Sequence, residues 1–145
     1  MNIERSNSFV QAFCVLPMLH SLDTLYPGFQ DWYVDTVVPG VVLGQDVLLV
    51  GKDEGRVVGV ALGKRTQSET KLRCVRVLPE YQNKGLGLRL IDSMLDELEC
   101  VKPHCTVAEE LLHVYSRAFV NRYGFALTGV DKGTYRRGKL EYRFN

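Results

Sequence analysis

The sequence predicts a single α/β domain in which an antiparallel meander feeds a long amphipathic helix. Three stretches carry that prediction. Over 72–98 a strand, a glycine turn and an amphipathic helix follow one another without a break. Over 46–65 two apolar runs flank Asp53-Glu54-Gly55, a tight hairpin turn. Over 106–144 a helix stopped at Gly124 leads into a second hairpin.

At 145 residues the length suits one domain, 1–145, large enough to bury a core. Apolar residues make up 46% and charged residues 24%, ordinary for a globular protein. A net charge of +1 gives no global field that would select nucleic acid or an acidic membrane. There is no apolar run of membrane-spanning length, signal peptide or lipidation motif, so no membrane partner is expected and the cytoplasm is the expected location. Cys14, Cys74, Cys100 and Cys105 show no C-x-x-C pairing, and three histidines do not complete a ligand set. They are expected to be buried structural thiols, with no metal site.

Residues 7–25 read as helical with a break or kink at Pro17 and an apolar face of Phe9, Phe13, Leu16, Leu19 and Leu22 or Leu25. A second short helix is expected from Phe29 to Val38. It turns Trp32, Tyr33 and Val37 inward, as core or as lining, and Pro39-Gly40 stops it. Met1–Arg5 is barely long enough for a strand, and none is predicted there. Asp46–Lys52 and Arg56–Arg65 are strands, and Gly59 and Gly63 mark bulges or a close backbone approach. Thr66–Thr70 is a polar connection to the strand that starts at Lys71. In that strand Val75 and Val77 alternate, flanked by Arg73 and Arg76, until Leu78-Pro79 ends the run.

Leu88, Leu90, Ile91, Met94, Leu95 and Leu98 then recur at three- and four-residue steps, with Asp92, Asp96, Glu97 and Glu99 mostly opposite. Residues 101–107 form a short strand, weakly paired at Pro103. Thr106-x-x-Glu109 has the form of a capping box that launches a helix through Tyr123. Its buried face is Leu111, Leu112, Tyr115, Ala118, Phe119 and Tyr123. Phe125–Val130 and Thr134–Phe144 close as a hairpin around Asp131-Lys132-Gly133.

Gln82-Asn83-Lys84-Gly85-Leu86-Gly87 sits where the long helix opens. The first amides of a helix lack intrahelical partners and carry the positive end of its dipole, so they bind anions. Glycines at 85 and 87 remove Cβ atoms from that approach, and Lys84 adds a mobile positive charge. A phosphate or pyrophosphate is the expected ligand. The competing reading of a bare GxG is a relaxed turn beside a solvated lysine. The stretch is neither G-x-G-x-x-G nor a nucleotide-triphosphate loop.

Val77-Leu78-Pro79-Glu80-Tyr81-Gln82-Asn83-Lys84-Gly85-Leu86-Gly87 resembles motif A of the GNAT superfamily of N-acetyltransferases, V-x-P-x-[YF]-[QR]-x-[KR]-G-[IL]-G, at every constrained position. Gly124-Phe125 after a helix is similar to the end of the family's second signature, Y-x-x-x-G-F. The resemblance spans Gly44 to the C-terminus. It implies a twisted, mixed, mostly antiparallel sheet with helices on both faces, and acetyl-CoA as acyl donor. The pyrophosphate would lie on Gln82, Asn83, Lys84, Gly85, Leu86, Gly87 and Leu88, and the pantetheine arm along the backbone of Val75, Arg76 and Val77. The implied reaction is direct attack by an amine acceptor in a ternary complex, with strand amides polarising the thioester. The two N-terminal helices would line the acceptor side. The unpredicted first strand departs from the family's usual topology.

The same resemblance places the family's thiolate-protonating tyrosine at Val120, which has no proton to give. Its frequent asparagine falls at His113 and its small residue at Ser116. Tyr123, about 60° round the helix from Val120, is the expected acid, whereas Tyr115, turned roughly 140° away, is expected in the core. Glu69, just before the central strand, is the expected base, followed by Glu109 and Glu110. The missing tyrosine leaves open a non-catalytic acyl-CoA sensor or interaction module. Lys71, Arg73 and Arg76, with Arg136, Arg137, Lys139 and Arg143, are either solvated faces or a site for an acidic or phosphorylated acceptor. A tRNA-borne acceptor, as toxin-type acetyltransferases use, stays open, though the low net charge argues against strong nucleic-acid binding. So does a homodimer.

Overall fold

The computed structural model describes residues 1–145. The chain opens on a strand: β1 (Asn2–Ser6) pairs antiparallel with β2 (Asp46–Asp53). This first strand was not legible because Asn2, Glu4 and Arg5 are polar. It is an edge strand templated along its whole length by the longer β2. β3 (Arg56–Arg65) and β4 (Thr70–Val77) follow, giving an antiparallel sheet of order β1-β2-β3-β4. Between β2 and β3, Glu54 and Gly55 take φ of 49° and 78°, the paired left-handed residues of a hairpin turn whose twist matches the strands.

A second antiparallel sheet has the order β5-β7-β6, from β5 (Cys105–Ala108), β6 (Leu127–Lys132) and β7 (Leu140–Phe144). The sheets join at one parallel bridge, Lys71 to His104. There the Leu72 N–H donates to the His104 carbonyl at 3.0 Å, and the His104 N–H donates to Thr70 at 3.1 Å. Beyond Leu72, β4 and β5 share no ladder.

One face of the first sheet is covered by α5 (Leu86–Leu98), which buries Leu86, Leu90, Ile91, Met94 and Leu98. It lies close because β3 offers glycines. A Cβ at Gly59 would sit 2.9 Å from Leu90 Cδ1, and one at Gly63 would sit 2.6 Å from Met94 Sδ. The other face is covered by α1 (Phe9–Cys14), α2 (Leu16–Leu19), a 3-10 turn over His20–Thr24, α3 (Phe29–Trp32), a π turn over Tyr33–Val37 and α4 (Val38–Leu43). Each face therefore carries its own apolar cluster.

The helical details correct the sequence reading. The first break falls at Val15, and Pro17 sits in the opening turn of α2, where a missing N–H costs nothing. Ala12, Val15, Leu19 and Leu22 face the core, while Phe9 and Phe13 are exposed. Pro39 does not end its helix. The preceding π turn frees the hydrogen bond that proline cannot make, and the run continues to Gly44 at φ 84°. Cys14 is exposed rather than buried.

In the C-terminal half the capping box does not form. Thr106 lies on β5, Glu109–Leu111 is a 3-10 turn, and the Glu109 carboxylate accepts from the Leu140 N–H at 2.9 Å. α6 (Leu112–Arg117) runs into a second π turn over Ala118–Arg122 and stops at Gly124, φ 66°. The closing connection is longer than expected, 133–139.

Candidate active site

Where β4 and β5 part, the structure holds a cavity of about 520 Å³. β4 from Lys71 to Arg76 forms one wall and β5 the other. Tyr115 of α6 lies at one side, while Tyr26, Trp32 and Tyr135 close the side nearer the N-terminal helices. No strand pairs with the open edge of β4 here. Instead the Val75 carbonyl accepts the Tyr115 hydroxyl at 2.9 Å, and the Val77 carbonyl accepts the Gln82 side-chain amide at 3.0 Å. In a strand a residue's N–H and C=O leave on the same edge. The Val75 and Val77 amides therefore face the gap as well.

At the far end of β4 the chain turns through Pro79–Tyr81 and opens α5. Gly85, the residue before that helix, sits at φ 83°, which favours glycine, and Asn83 is also left-handed at 61°. The amides of Leu86, Gly87 and Leu88 then have no i−4 partner, and no acidic side chain occupies the first turn. A Cβ at Gly87 would meet only Val77 Cγ2, at 3.9 Å, so the approach to these amides is clear. Lys84 Nζ lies 5.8 Å from the Tyr81 ring centre, and Tyr81 is anchored by donating to Asp53 at 2.8 Å.

An unpaired strand edge, a neighbour that diverges from it and a glycine-opened helix at its end are what an acyl-CoA thioester needs. The sequence profile described as the acetyltransferase (GNAT) family matches residues 16–125. The chain belongs to the GNAT acetyltransferase family. A protein from Desulfovibrio desulfuricans assigned as an acetyltransferase of that family superposes with a TM-score of 0.76 at 18% identity, covering 99% of this chain and 96% of that one. A ribosomal-protein-alanine N-acetyltransferase from Brucella melitensis superposes with a TM-score of 0.72 at 15% identity, covering 99% and 98%. An aminoglycoside 6'-N-acetyltransferase complexed with coenzyme A gives 0.71 at 14%, covering 99% and 95%. At these identities the structures attest the shared fold. No curated protein sequence matches the chain. As a GNAT enzyme it moves acetyl from acetyl-CoA to an amine.

The structure does not bring the sequence-nominated acid and base to this cleft. Glu69 is held by Lys64 at 2.6 Å and Lys71 at 3.4 Å and is absent from the lining. The hydrogen bond from Lys64 and the nearby Lys71 keep its carboxyl below the usual range, a poor property for a base. Tyr123 donates to Asp92 at 2.7 Å, with the Leu88 carbonyl at 3.2 Å, so it ties α6 to α5 outside the cavity. Burial and Asp92 push its hydroxyl up to about 12. Glu110 is chelated by Arg136, which holds it down at about 2, and Glu109 is taken by Leu140. Val120 is exposed.

Two other groups occupy the site. Tyr115, assigned to the core by the helix wheel, lines the cavity with its hydroxyl on the open edge of β4 and its ring stacked on Phe119 at 5.5 Å. Burial raises its pKa, so it is a protonated donor. On the other side Tyr26 lines the cavity and donates at 2.6 Å to Glu141 on β7, which is only 5% exposed. Burial raises Glu141 as well, against the lowering effect of the hydrogen bond from Tyr26 and of the nearby Thr106 and Arg136. The Tyr26 ring meets Tyr135 edge-on at 4.9 Å. Cys74 also lines the cavity, but burial pushes its thiol up to about 11, which leaves it a poor nucleophile. No group of His, Cys, Asp and Glu is arranged to hold a metal ion.

Proposed function

We propose that the enzyme acetylates an amine by direct attack within this cleft, with the donor lying along the open edge of β4. The observation that carries the reading is that edge: two outward carbonyls are capped by side chains, and the matching amides are left free beside the cavity. The diphosphate takes the loop from Gln82 into the helix-opening amides of Leu86, Gly87 and Leu88, with Lys84, and the pantetheine arm follows the backbone of Val75, Arg76 and Val77. The Val75 and Val77 amides receive the negative charge that grows on the thioester oxygen. The C–S bond breaks as the new C–N bond forms, and Tyr115 gives its proton to the departing sulfur. The attacking nitrogen loses its proton to Tyr26, whose own proton passes to Glu141. Glu69 and Tyr123 serve as structural contacts in this scheme.

Partners follow from charge. Arg73 is paired with Asp46, Lys71 with Glu69, Arg136 with Glu110 and Arg143 with Asp131. Four of the seven basic residues are thus engaged and only Arg76, Arg137 and Lys139 are without an ion pair, a small set for the phosphates of a tRNA, and a small or peptidic amine fits better. No helix is long and apolar enough to cross a membrane, and acetyl-CoA supply makes the cytoplasm the natural place for the reaction.

The test is thiol release from acetyl-CoA with a panel of amines, alongside calorimetry of coenzyme A binding. Wild type should turn over at least one amine, and Gly87→Glu should lose coenzyme A binding while keeping its melting temperature. Unchanged affinity in folded Gly87→Glu would remove the diphosphate assignment. Tight binding of acetyl-CoA without thiol release for any amine would favour a sensor.

A further inference from the structure

Given the reading above, we propose that the acceptor carries a carboxylate or similar anion close to its amine, held by Arg76 and Arg73 on the side of the cleft covered by the N-terminal helices. Arginines three residues apart on a regular strand point to opposite faces. β4 is not regular there. Its register pairs Leu72 with Gly63 and Cys74 with Leu62, leaving Arg73 as the extra residue of a bulge. Past the bulge Val75 packs into the α5 cluster while Cys74 packs against the N-terminal helices. Arg76, two residues after Cys74, takes that same face. Arg73 is turned there too, with its guanidinium carbon 4.9 Å from the Trp32 ring centre. One inserted residue thus brings both guanidiniums to the acceptor side.

Their bonding leaves capacity for a ligand. Arg73 spends Nε on Asp46 at 3.1 Å and makes no other hydrogen bond, so its terminal nitrogens are available. Asp46 is buried, and a Cβ at Gly40 would collide with its carboxylate, so Arg73 is anchored from below. Arg76 forms no ion pair; its guanidinium lies beside the Tyr115 hydroxyl, and its Nε is buried without a hydrogen-bond partner, which leaves that nitrogen for a ligand. Lys71, Arg73 and Arg76 line the cavity, and no Asp or Glu does. Glu69 is neutralised by lysines and Glu141 lies behind Tyr26. Such a lining repels polycationic acceptors and favours one whose anion completes the Arg76 guanidinium, with its apolar part against Phe29, Trp32 and Tyr135.

Matched probes test this: phenylalanine, phenylalaninamide and phenethylamine as acceptors, with phosphoethanolamine against ethanolamine as the phosphate arm. The carboxylate should raise kcat/KM roughly 10- to 100-fold over the amide, the range of a charge-assisted hydrogen bond. Arg76→Gln should bring that ratio near one, Arg76→Lys should restore part of it, and both should bind coenzyme A as wild type does. A preference in the phosphate arm alone would identify the anion as a phosphate. N-acetylphenylalanine against its amide, titrated calorimetrically with coenzyme A present, reads the same subsite without turnover. Equal kcat/KM and equal Kd for acid and amide would overturn the anion subsite while leaving acetyl transfer intact. So would loss of coenzyme A affinity in Arg76→Gln, which would assign that arginine to the donor. Failure of wild type to bind coenzyme A would instead strike the reading on which the subsite rests.

Discussion

Replacing Glu141 by glutamine should slow the enzyme and leave its fold at least as stable. The carboxylate is only 5% exposed and accepts from Tyr26 at 2.6 Å, while the nearby Arg136 is already committed to Glu110. Burial therefore outweighs the partners, and the folded pKa lies above the ordinary carboxylate value. The sign follows from linkage. Below the unfolded value of 4.5 both states are protonated and the group costs nothing. As pH rises the unfolded chain releases its proton first, so stability falls until the raised folded pKa is passed. Above that folded pKa wild type carries the full penalty, about 1.4 kcal/mol for each tenfold in proton affinity. Glutamine resembles the protonated acid and keeps an oxygen for Tyr26, so it escapes that penalty. The melting temperatures of the two proteins should coincide near pH 4 and diverge in favour of Glu141→Gln toward pH 8. Over the same range acetylation by the variant should fall roughly 10²–10⁴-fold near neutral pH, the usual contribution of a positioned base. Much of the loss should return at high pH, where the amine is already neutral. Tyr26→Phe should reproduce the rate profile, and the double variant should be no slower than either single one. A Glu141→Gln enzyme with wild-type rate at pH 7, or one slowed equally at every pH while melting earlier, would refute the relay.

Tyr115→Phe should lower kcat and remove the descending limb of the pH–rate profile, while costing about 0.5–1.5 kcal/mol for the hydrogen bond to Val75; an intact limb would return Tyr115 to the core. Glu69→Gln and Tyr123→Phe should hold kcat/KM within about twofold, the second losing about 1 kcal/mol with its Asp92 contact. A large rate loss in either would restore the sequence-based assignment. Gly59→Ala should cost about 1–3 kcal/mol by overpacking, since its Cβ would lie 2.9 Å from Leu90 Cδ1 and 3.0 Å from Leu86 Cδ2. Chemical denaturation measures it, and an unchanged midpoint would mean that α5 shifts freely on the sheet.

Much of the fold could be read because its signals are local. Asp53-Glu54-Gly55 specifies a hairpin, the glycines of β3 mark a bulge or a close approach that the side chains of α5 turn out to make, and leucine spacing over 86–98 fixes the buried face of α5. The loop from Gln82 to Leu88 was legible for the same reason, since strand, turn and helix are consecutive. The proposed proton-transfer groups were not. Glu141 alternates with Leu140 and Tyr142 and so reads as a solvent-facing strand residue. Only the placing of β7 in the middle of its sheet, and the packing of Tyr26 from 115 residues away, buries it.

The errors over the cleft share a cause more specific than distance. Face assignments from sequence assume an unbroken period of 2.0 or 3.6, and the chain inserts one residue at each wall of the site. The bulge at Arg73 resets the faces of β4, so that Arg73 and Arg76 come to one side. The π turn over Ala118–Arg122 contains Val120 and lies between Tyr115 and Tyr123, so a wheel centred on Val120 misplaces both. A third insertion, over Tyr33–Val37, lets the helix carrying Trp32 run past Pro39 to Gly44. Bulges and π turns sacrifice regular hydrogen bonds to re-aim side chains, and they concentrate where function needs that. Arg73 and Tyr115, whose faces those two insertions reset, both line the cavity of the proposed active site.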